Sequence, residues 1–477
     1  MTSLKKNFMY SSILTTANYI FPLITFPYVS RVLGVNNIGL CNFIDGIINY
    51  FILFSMMGVS ILGIREVAAN KNDSGQLKKT FSTLLTINAI TTFVGSIILA
   101  IVTMYSPRLN ENLDLIILSG VKLVFNLFLI EWYFKGLENF KYVTIRSILV
   151  KCLYVISVFL FVKESTDYTI YYFLSVLMIV VNSMINMVYA HKSVSYSIKT
   201  IDIKLYIKPY ITLGVYMLLT SMYVSFNVIF LGFTHDDIQV GYYTTATKLH
   251  SVVIALFTAL TSVMLPRMSS LLQEGKIKEF KIKINNSIDI LLSISIPLII
   301  FMIILAPQIV YIVSGEGYEG AITPLRIMTP LCFIVGYEQI LIIQAMMPLK
   351  MDGAILFNSI IGAVLGVVLN IMIIPNLASI GSAIVWCTSE TIVLLFSQIA
   401  INKSIQLSFP LEKLLGKVVV YIPLALCLHI ICNNLHNIYY EFLISVLFAG
   451  LYYTMIELLV YKSSMLIKFI NSNIKKV

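Results

Sequence analysis

Apolar residues run in long blocks along this chain, and the clusters of lysine, arginine, glycine and asparagine between them are short. That alternation predicts a series of membrane-spanning helices. By length, the blocks lie at about 8–30, 40–64, 80–105, 113–134, 142–162, 168–190, 208–233, 241–265, 284–313, 324–347, 354–374, 378–400, 415–432 and 438–461. This gives an all-α polytopic protein of fourteen helices. Pro22 and Pro27 each remove a backbone donor from the first helix, so a kink is expected there.

Inside the apolar blocks a helical period carries polar residues. Ser11, Thr15, Asn18 and Thr25 share one face of the first helix, and Asn42, Asp45 and Asn49 one face of the second. The seventh helix aligns Thr212, Tyr216, Thr220, Tyr223 and Asn227, and the eighth Thr244, Lys248, Ser251 and Thr258. Four such stripes predict a wet cleft. The competing reading is helix packing through small polar groups, which is common in membranes.

The two sets of stripes belong to an internal repeat. Gly39 precedes an apolar run that stops at Arg65, and Gly241 one that stops at Arg267, both 26 positions on. Gly75-Gln76-Leu77-Lys78 then answers to Gly275-Lys276-Ile277-Lys278, and each leads into another apolar helix. Two six-helix lobes related by a pseudo-two-fold repeat are expected, residues 1–200 and 201–405, with 406–477 as an appended helix pair and cytoplasmic tail. Parallel repeats of this kind are a transporter architecture with the substrate at the repeat interface.

Composition excludes a soluble alternative. With 58% hydrophobic and 12% charged residues and a mean hydropathy of +0.89, no soluble core could hide the apolar surface. The net charge of +10 does not point to nucleic acid, because the basic residues are spread over short loops. Of the 33 basic residues, 26 fall on the side of the N-terminus, and Arg31, Arg108, Lys163 and Arg326 on the other. The positive-inside rule then puts both termini in the cytoplasm. The run after Lys5 and Lys6 continues past residue 30, too long for a signal peptide and right for a retained helix. The six cysteines form no Cys-x-x-Cys pair and read as structural thiols; no cofactor or metal is implied.

Charged residues inside spans mark candidate chemistry, because each costs on the order of 2.5–3.5 kcal/mol at the bilayer centre unless it faces a cavity or a partner. Asp45 and Lys248 lie at similar depth, about 10 Å into the outer half at ~1.5 Å per residue, and form the first pair to compare. Lys122 and Lys151 fall near the midplane, where two ammonium groups repel unless an anion joins them or a carboxylate neutralises them. Glu338 and Glu390 are mid-membrane carboxylates suited to a coupling proton or cation.

At Pro27-Tyr28-Val29-Ser30-Arg31-Val32-Leu33-Gly34, at Gly63-Ile64-Arg65-Glu66 and at Glu131-Trp132-Tyr133-Phe134-Lys135-Gly136-Leu137-Glu138-Asn139-Phe140, the chain resembles bacterial polysaccharide-biosynthesis flippases. These belong to the multidrug/oligosaccharidyl-lipid/polysaccharide exporter superfamily. The resemblance implies two six-helix lobes around a V-shaped cavity. It also implies cationic cavity residues that hold a lipid pyrophosphate, for which Lys122, Lys151 and Lys248 are available, with Arg31 at the outer rim. Asp45, Asn18, Asn49 and Asn227 are the polar lining beside them. All three buried cations are lysines, which present a point charge where arginine would present a fork.

The function implied is translocation of undecaprenyl-diphosphate-linked repeat units of O-antigen, capsule or exopolysaccharide across the bacterial inner membrane by alternating access, beside a polysaccharide polymerase. A cation-coupled drug extruder is the near alternative, disfavoured by lysines in the span. A membrane polymerase or ligase needs an outer catalytic platform, and the predicted outer loops at 31–39, 234–240 and 375–378 are too short for one.

Overall fold

A computed structural model describes residues 2–461, without the side chains of residues 2–5, 8, 216, 220, 223, 224, 256, 259, 260, 262 and 263. The predicted tail lysines Lys462, Lys468, Lys475 and Lys476 lie outside the described residues. Regular structure is helical throughout the described residues. The chain divides into two compact units, one holding residues up to Thr244 with Ser359–Trp386, the other Thr245–Asn358 with the described residues from Cys387 onward.

The first unit opens with α1 (Thr2–Met56) and α2 (Val59–Asn70). α1 passes through Pro22 and Pro27 with helical backbone and leaves it at Gly34, at φ +75° and ψ +169°. Only glycine adopts that geometry without a steric penalty, so the break falls there and not at the prolines. Asp73 then starts α3 (Ser74–Tyr105): its Oδ1 accepts from the amides of Gly75 and Gln76 at 2.9 and 3.0 Å. After the single turn α4 (Pro107–Asn110) comes α5 (Leu113–Asn126). Ile130, left-handed at φ +35°, separates α5 from the short α6 (Glu131–Gly136). α7 (Phe140–Phe161), α8 (Tyr168–His191), α9 (Ile203–Val224), α10 (Phe226–Thr234) and the start of α11 (Asp237–Gln273) follow.

The stretch Glu131–Phe140 supplies the core of this unit. Trp132, Tyr133 and Phe134 are buried among Val59, Leu62, Phe81, Leu84 and Tyr210. α2 reaches them because it carries Gly63: a Cβ there would sit 2.5 Å from the Trp132 ring. Gly136 returns the favour, with an added Cβ 2.7 Å from Val67. Gly63→Val is therefore expected to overpack this contact and cost about 1–3 kcal/mol. A lower melting temperature of the detergent-solubilised protein is the readout, and an unchanged one would show that α2 can shift away.

In the second unit α11 is followed by α12 (Ile277–Ile304), α13 (Ala306–Ser314), α14 (Ile322–Met328), α15 (Leu331–Gln339) and a π-helical stretch, Ile340–Met346. α16 (Asp352–Ile405) leads to α17 (Leu411–Asn434) and α18 (Ile438–Leu459). The last two, expected as an appended pair, belong to the second compact unit. α12 packs on α17, and α17 on α18.

Nine helices among the described residues are long and apolar enough to cross a membrane, or ten if the bent pair Glu319–Met328 and Leu331–Met346 is one span. Two runs are of double length, Met9–Asn70 with 62 residues and Asp352–Ile405 with 54. At ~1.5 Å per residue each far exceeds the ~30 Å hydrocarbon core. The first is broken at Gly34 and again at Met57–Gly58, between α1 and α2, and the second at Ala378. The predicted loops 31–39 and 375–378 are thus single-residue breaks within helix, so four of the fourteen predicted segments join into two runs. Outward faces of the helices are apolar: Phe93, Met104, Leu153, Val364, Leu426 and Leu451 are all exposed, as lipid-facing residues should be.

Candidate functional site

The polar stripe on the second half of α1 forms the centre of the first unit's site. Asn42, Asp45 and Asn49 follow one another at about one helical turn, so they share a face, and α5 and α8 pack against that helix. Lys122 of α5 makes an ion pair with Asp45. The Asp45 carboxylate also accepts from Tyr172 Oη at 3.4 Å and, weakly, from Asn49 Nδ2 at 3.5 Å. Tyr172 is held in turn by Ser119 at 2.7 Å. The Lys122 side chain is 12% exposed and that of Asp45 37%, so the carboxylate meets open space and the ammonium sits behind it.

Depth along the helices had pointed Asp45 toward Lys248. Its ionic partner is Lys122, because depth says nothing about azimuth and α5 is the neighbour on the striped face. Lys248 is half-buried on α11, in the second unit.

Lys151 is placed differently. Its Nζ donates to Asn18 Oδ1 and lies 6.0 Å from the Phe21 ring centroid. Among the described residues no carboxylate is within ion-pair distance of it. An amide oxygen and an aromatic face therefore hold this charge within a spanning helix. Lys122 and Lys151 do not form the mutually repelling pair that equal depth suggested: one is neutralised by Asp45 and the other is left positive.

The remaining predicted residues are spread more widely. Arg31 is exposed beside the Gly34 break, with Nη1 donating to the Pro27 carbonyl at 2.7 Å. Asn18 and Asn49 are exposed. Asn227 is fully buried: its Nδ2 donates to Tyr243 Oη at 3.2 Å, and its Oδ1 accepts from Asn370 Nδ2 at 2.8 Å. It cross-links α10, α11 and α16. The side chains of Tyr216, Thr220 and Tyr223, predicted on the same stripe, lie outside those described.

Glu338 of α15 and Glu390 of α16 are both buried in the second unit, near enough for their carboxyl groups to interact. Two carboxylates brought together out of water repel unless a proton or a cation joins them. Glu338 also stands at the entrance to the π-helical stretch, a local widening of the helix that recurs at functional sites.

Two further buried cations lie just inside helix ends, where the sequence pattern does not separate helix from loop. Arg146 lies inside α7, with a 2.7 Å bond to Glu131, whose other oxygen takes Lys135 at 2.9 Å. Lys417 lies inside α17, 2.6 Å from Glu457 and 2.8 Å from Ser293 Oγ. Position within the helix was the available signal. Each is six residues past its helix start, too far in to be loop.

Residues 4–272 match the family described as polysaccharide biosynthesis protein. A protein of Escherichia coli strain K12 named for O-antigen transport is 26% identical over 351 residues, 72% of this chain and 84% of its own length. Among solved structures, the lipid II flippase MurJ in an inward closed conformation superposes with a TM-score of 0.80, covering 96% of this chain and all of that one at 14% identity. An inward-facing multidrug resistance MATE family transporter of the MOP superfamily gives 0.63, covering 81% and 94% at 13% identity. At such identities the structural likeness shows a shared fold.

Proposed function

The chain belongs to the family of polysaccharide biosynthesis proteins, and from that premise we propose that it is a flippase for lipid-linked oligosaccharides, a transporter rather than an enzyme. The cargo is a repeat unit of O-antigen, capsule or exopolysaccharide carried on undecaprenyl diphosphate. It moves from the cytoplasmic to the outer leaflet of the bacterial inner membrane by alternating access. Both termini are cytoplasmic, residues 1–200 and 201–405 act as the two lobes, and a polysaccharide polymerase receives the product.

The observation that supports this reading most is Lys151. Among the described residues this ammonium in a spanning helix is held by Asn18 and the Phe21 ring, with Glu131 and Arg146 acting on it from farther away, so it has unused donor capacity. A diphosphate supplies acceptor oxygens that strengthen this contact while the sugar passes. Lys122 stands ready as a second cation, because the Asp45 carboxylate can release it when a better-charged anion arrives. The buried carboxyl pair Glu338 and Glu390 is assigned to the coupling ion, H+ or Na+.

The test uses a strain lacking its own flippase. Lys151→Ala is expected to leave the protein in the membrane, to remove surface polysaccharide and to make lipid-linked units accumulate on the inner leaflet, with Lys151→Arg retaining part of the activity. Normal surface polysaccharide in the alanine variant would eliminate the anion site. In vesicles, Glu338→Gln should make flipping indifferent to an imposed proton or sodium gradient; unaltered gradient dependence would remove the carboxyl pair from coupling. Cation-coupled drug extrusion is the second reading, favoured only by the MATE-like fold and the carboxyl pair. It predicts drug resistance on expression, which the lysine-bearing site does not.

A further inference from the structure

Gly39 and Gly241 stand 202 positions apart in the repeat, and each is pressed against the other's helix. A Cβ built on Gly39 lands on the Asp237 carbonyl and 2.8 Å from the Gly241 amide nitrogen. One built on Gly241 lands on the Val35 carbonyl oxygen and 2.6 Å from Val35 Cγ2. The contact is reciprocal: Asp237 precedes Gly241 by four residues, and Val35 precedes Gly39 by four. About one turn further along, Asn42 Nδ2 donates to Thr244 Oγ1 at 2.9 Å, and these two residues are again 202 apart. A contact that exchanges each residue with its repeat counterpart marks a local two-fold axis.

Glycine at both positions lets the two backbones touch. Nothing wider than a bond passes between them. Polar contacts flank the crossing, and Phe43 beside it packs on Gly232 and edge-on against Phe233. Arg108 Nη2 donates to Asp237 Oδ1 at 2.5 Å, Nη1 to the His235 carbonyl, and the guanidinium lies 4.7 Å from the Phe43 ring centroid. Gln239 Oε1 accepts from Ser379 Oγ at 2.6 Å, next to the break at Ala378. The crossing lies at the end of the helices that carries the Gly34 break and Arg108, the end the positive-inside rule places outside.

We propose that the Gly39–Gly241 crossing is the outer gate of the transport cycle, closed in this structure and latched by Arg108. The proposal rests on the flippase reading. An oligosaccharide cannot leave outward while two backbones are in contact, so these helices part in every cycle. The Asn42–Thr244 hydrogen bond on the axis and a partly exposed ion pair beside it can break and re-form, and at the two glycines themselves the backbones meet with no side chain between them.

The experiment starts from a parent whose six cysteines are replaced, with Asn42→Cys and Thr244→Cys introduced together. Oxidation should join them, drop flipping to background, and allow recovery on adding a thiol reductant. A cross-linked protein that flips at the reduced rate would overturn the gate. The second arm needs no transport: in the parent carrying Asn42→Cys alone, Arg108→Gln should raise labelling by a membrane-impermeant maleimide applied outside, and unchanged labelling would overturn the latch. If the cysteine-free parent fails to move lipid-linked units at all, the flippase reading fails, while the labelling arm still decides whether this crossing opens.

Discussion

Lys122→Ala is expected to lower transport roughly ten- to hundred-fold, the loss of one hydrogen bond to a charged group worth on the order of 1.5–3 kcal/mol. Asp45→Asn should do the same. The ion pair between them is asymmetric: the ammonium is nearly covered and the carboxylate is about a third exposed. Removing Lys122 leaves Asp45 to Tyr172 and Asn49, neither of which carries charge. The deciding variant is the double, Asp45→Asn with Lys122→Met. If the pair only neutralises itself, the double variant restores transport along with stability, because no unpaired charge remains. If Lys122 takes up the cargo's diphosphate, the double variant is stable and inactive. Surface polysaccharide in the flippase-deficient strain separates the two, and recovery in the double variant would remove both residues from the site.

The second large effect is on stability. Lys417 and Glu457 have side chains 9% and 3% exposed, and they tie α17 to α18 while Ser293 of α12 accepts from the same ammonium. Lys417 also lies 3.2 Å from the Tyr461 ring centroid, so an aromatic face covers it. Truncating either charge leaves the other buried without a counter-ion. Lys417→Ala or Glu457→Ala should therefore destabilise the second unit by roughly 3–5 kcal/mol. Lys417→Met with Glu457→Leu replaces both by apolar groups of similar size and should return most of that loss. Thermal unfolding in detergent measures all three. Single variants as stable as the parent would show that water reaches this pair. The nearby Lys413–Asp289 pair, at 2.7 Å with both side chains about half exposed, serves as the control and should contribute under about 1 kcal/mol.

How much of this was legible in the sequence differs from residue to residue. That Asp45, Lys122 and Lys151 are candidates followed from charge within apolar blocks, and the structure places all three in the first unit. Which of them pair did not follow, because matching depths rank residues along the helix axis and leave the angle about it open. Glu338 and Glu390 are 52 positions apart, so nothing in the sequence joins them; the tertiary fold brings the two carboxyl groups near each other. Arg146 and Lys417 were assigned to loops because a basic residue near the end of an apolar block resembles a stop signal.

What the sequence determined by itself is whatever depends on composition and period. An apolar excess too large for a soluble core made the chain a membrane protein, the 3.6-residue period placed Asn42, Asp45 and Asn49 on one face, and the 202-residue offset matched Gly39 to Gly241. Those properties are carried by each segment alone. Only the tertiary structure decided that Gly34 and Ala378 break helices where loops were expected, that Lys122 is neutralised and Lys151 is not, and that the repeat-related glycines touch. Each of these depends on which helix lies beside which and at what rotation, and that is set by side-chain packing between segments far apart in the chain.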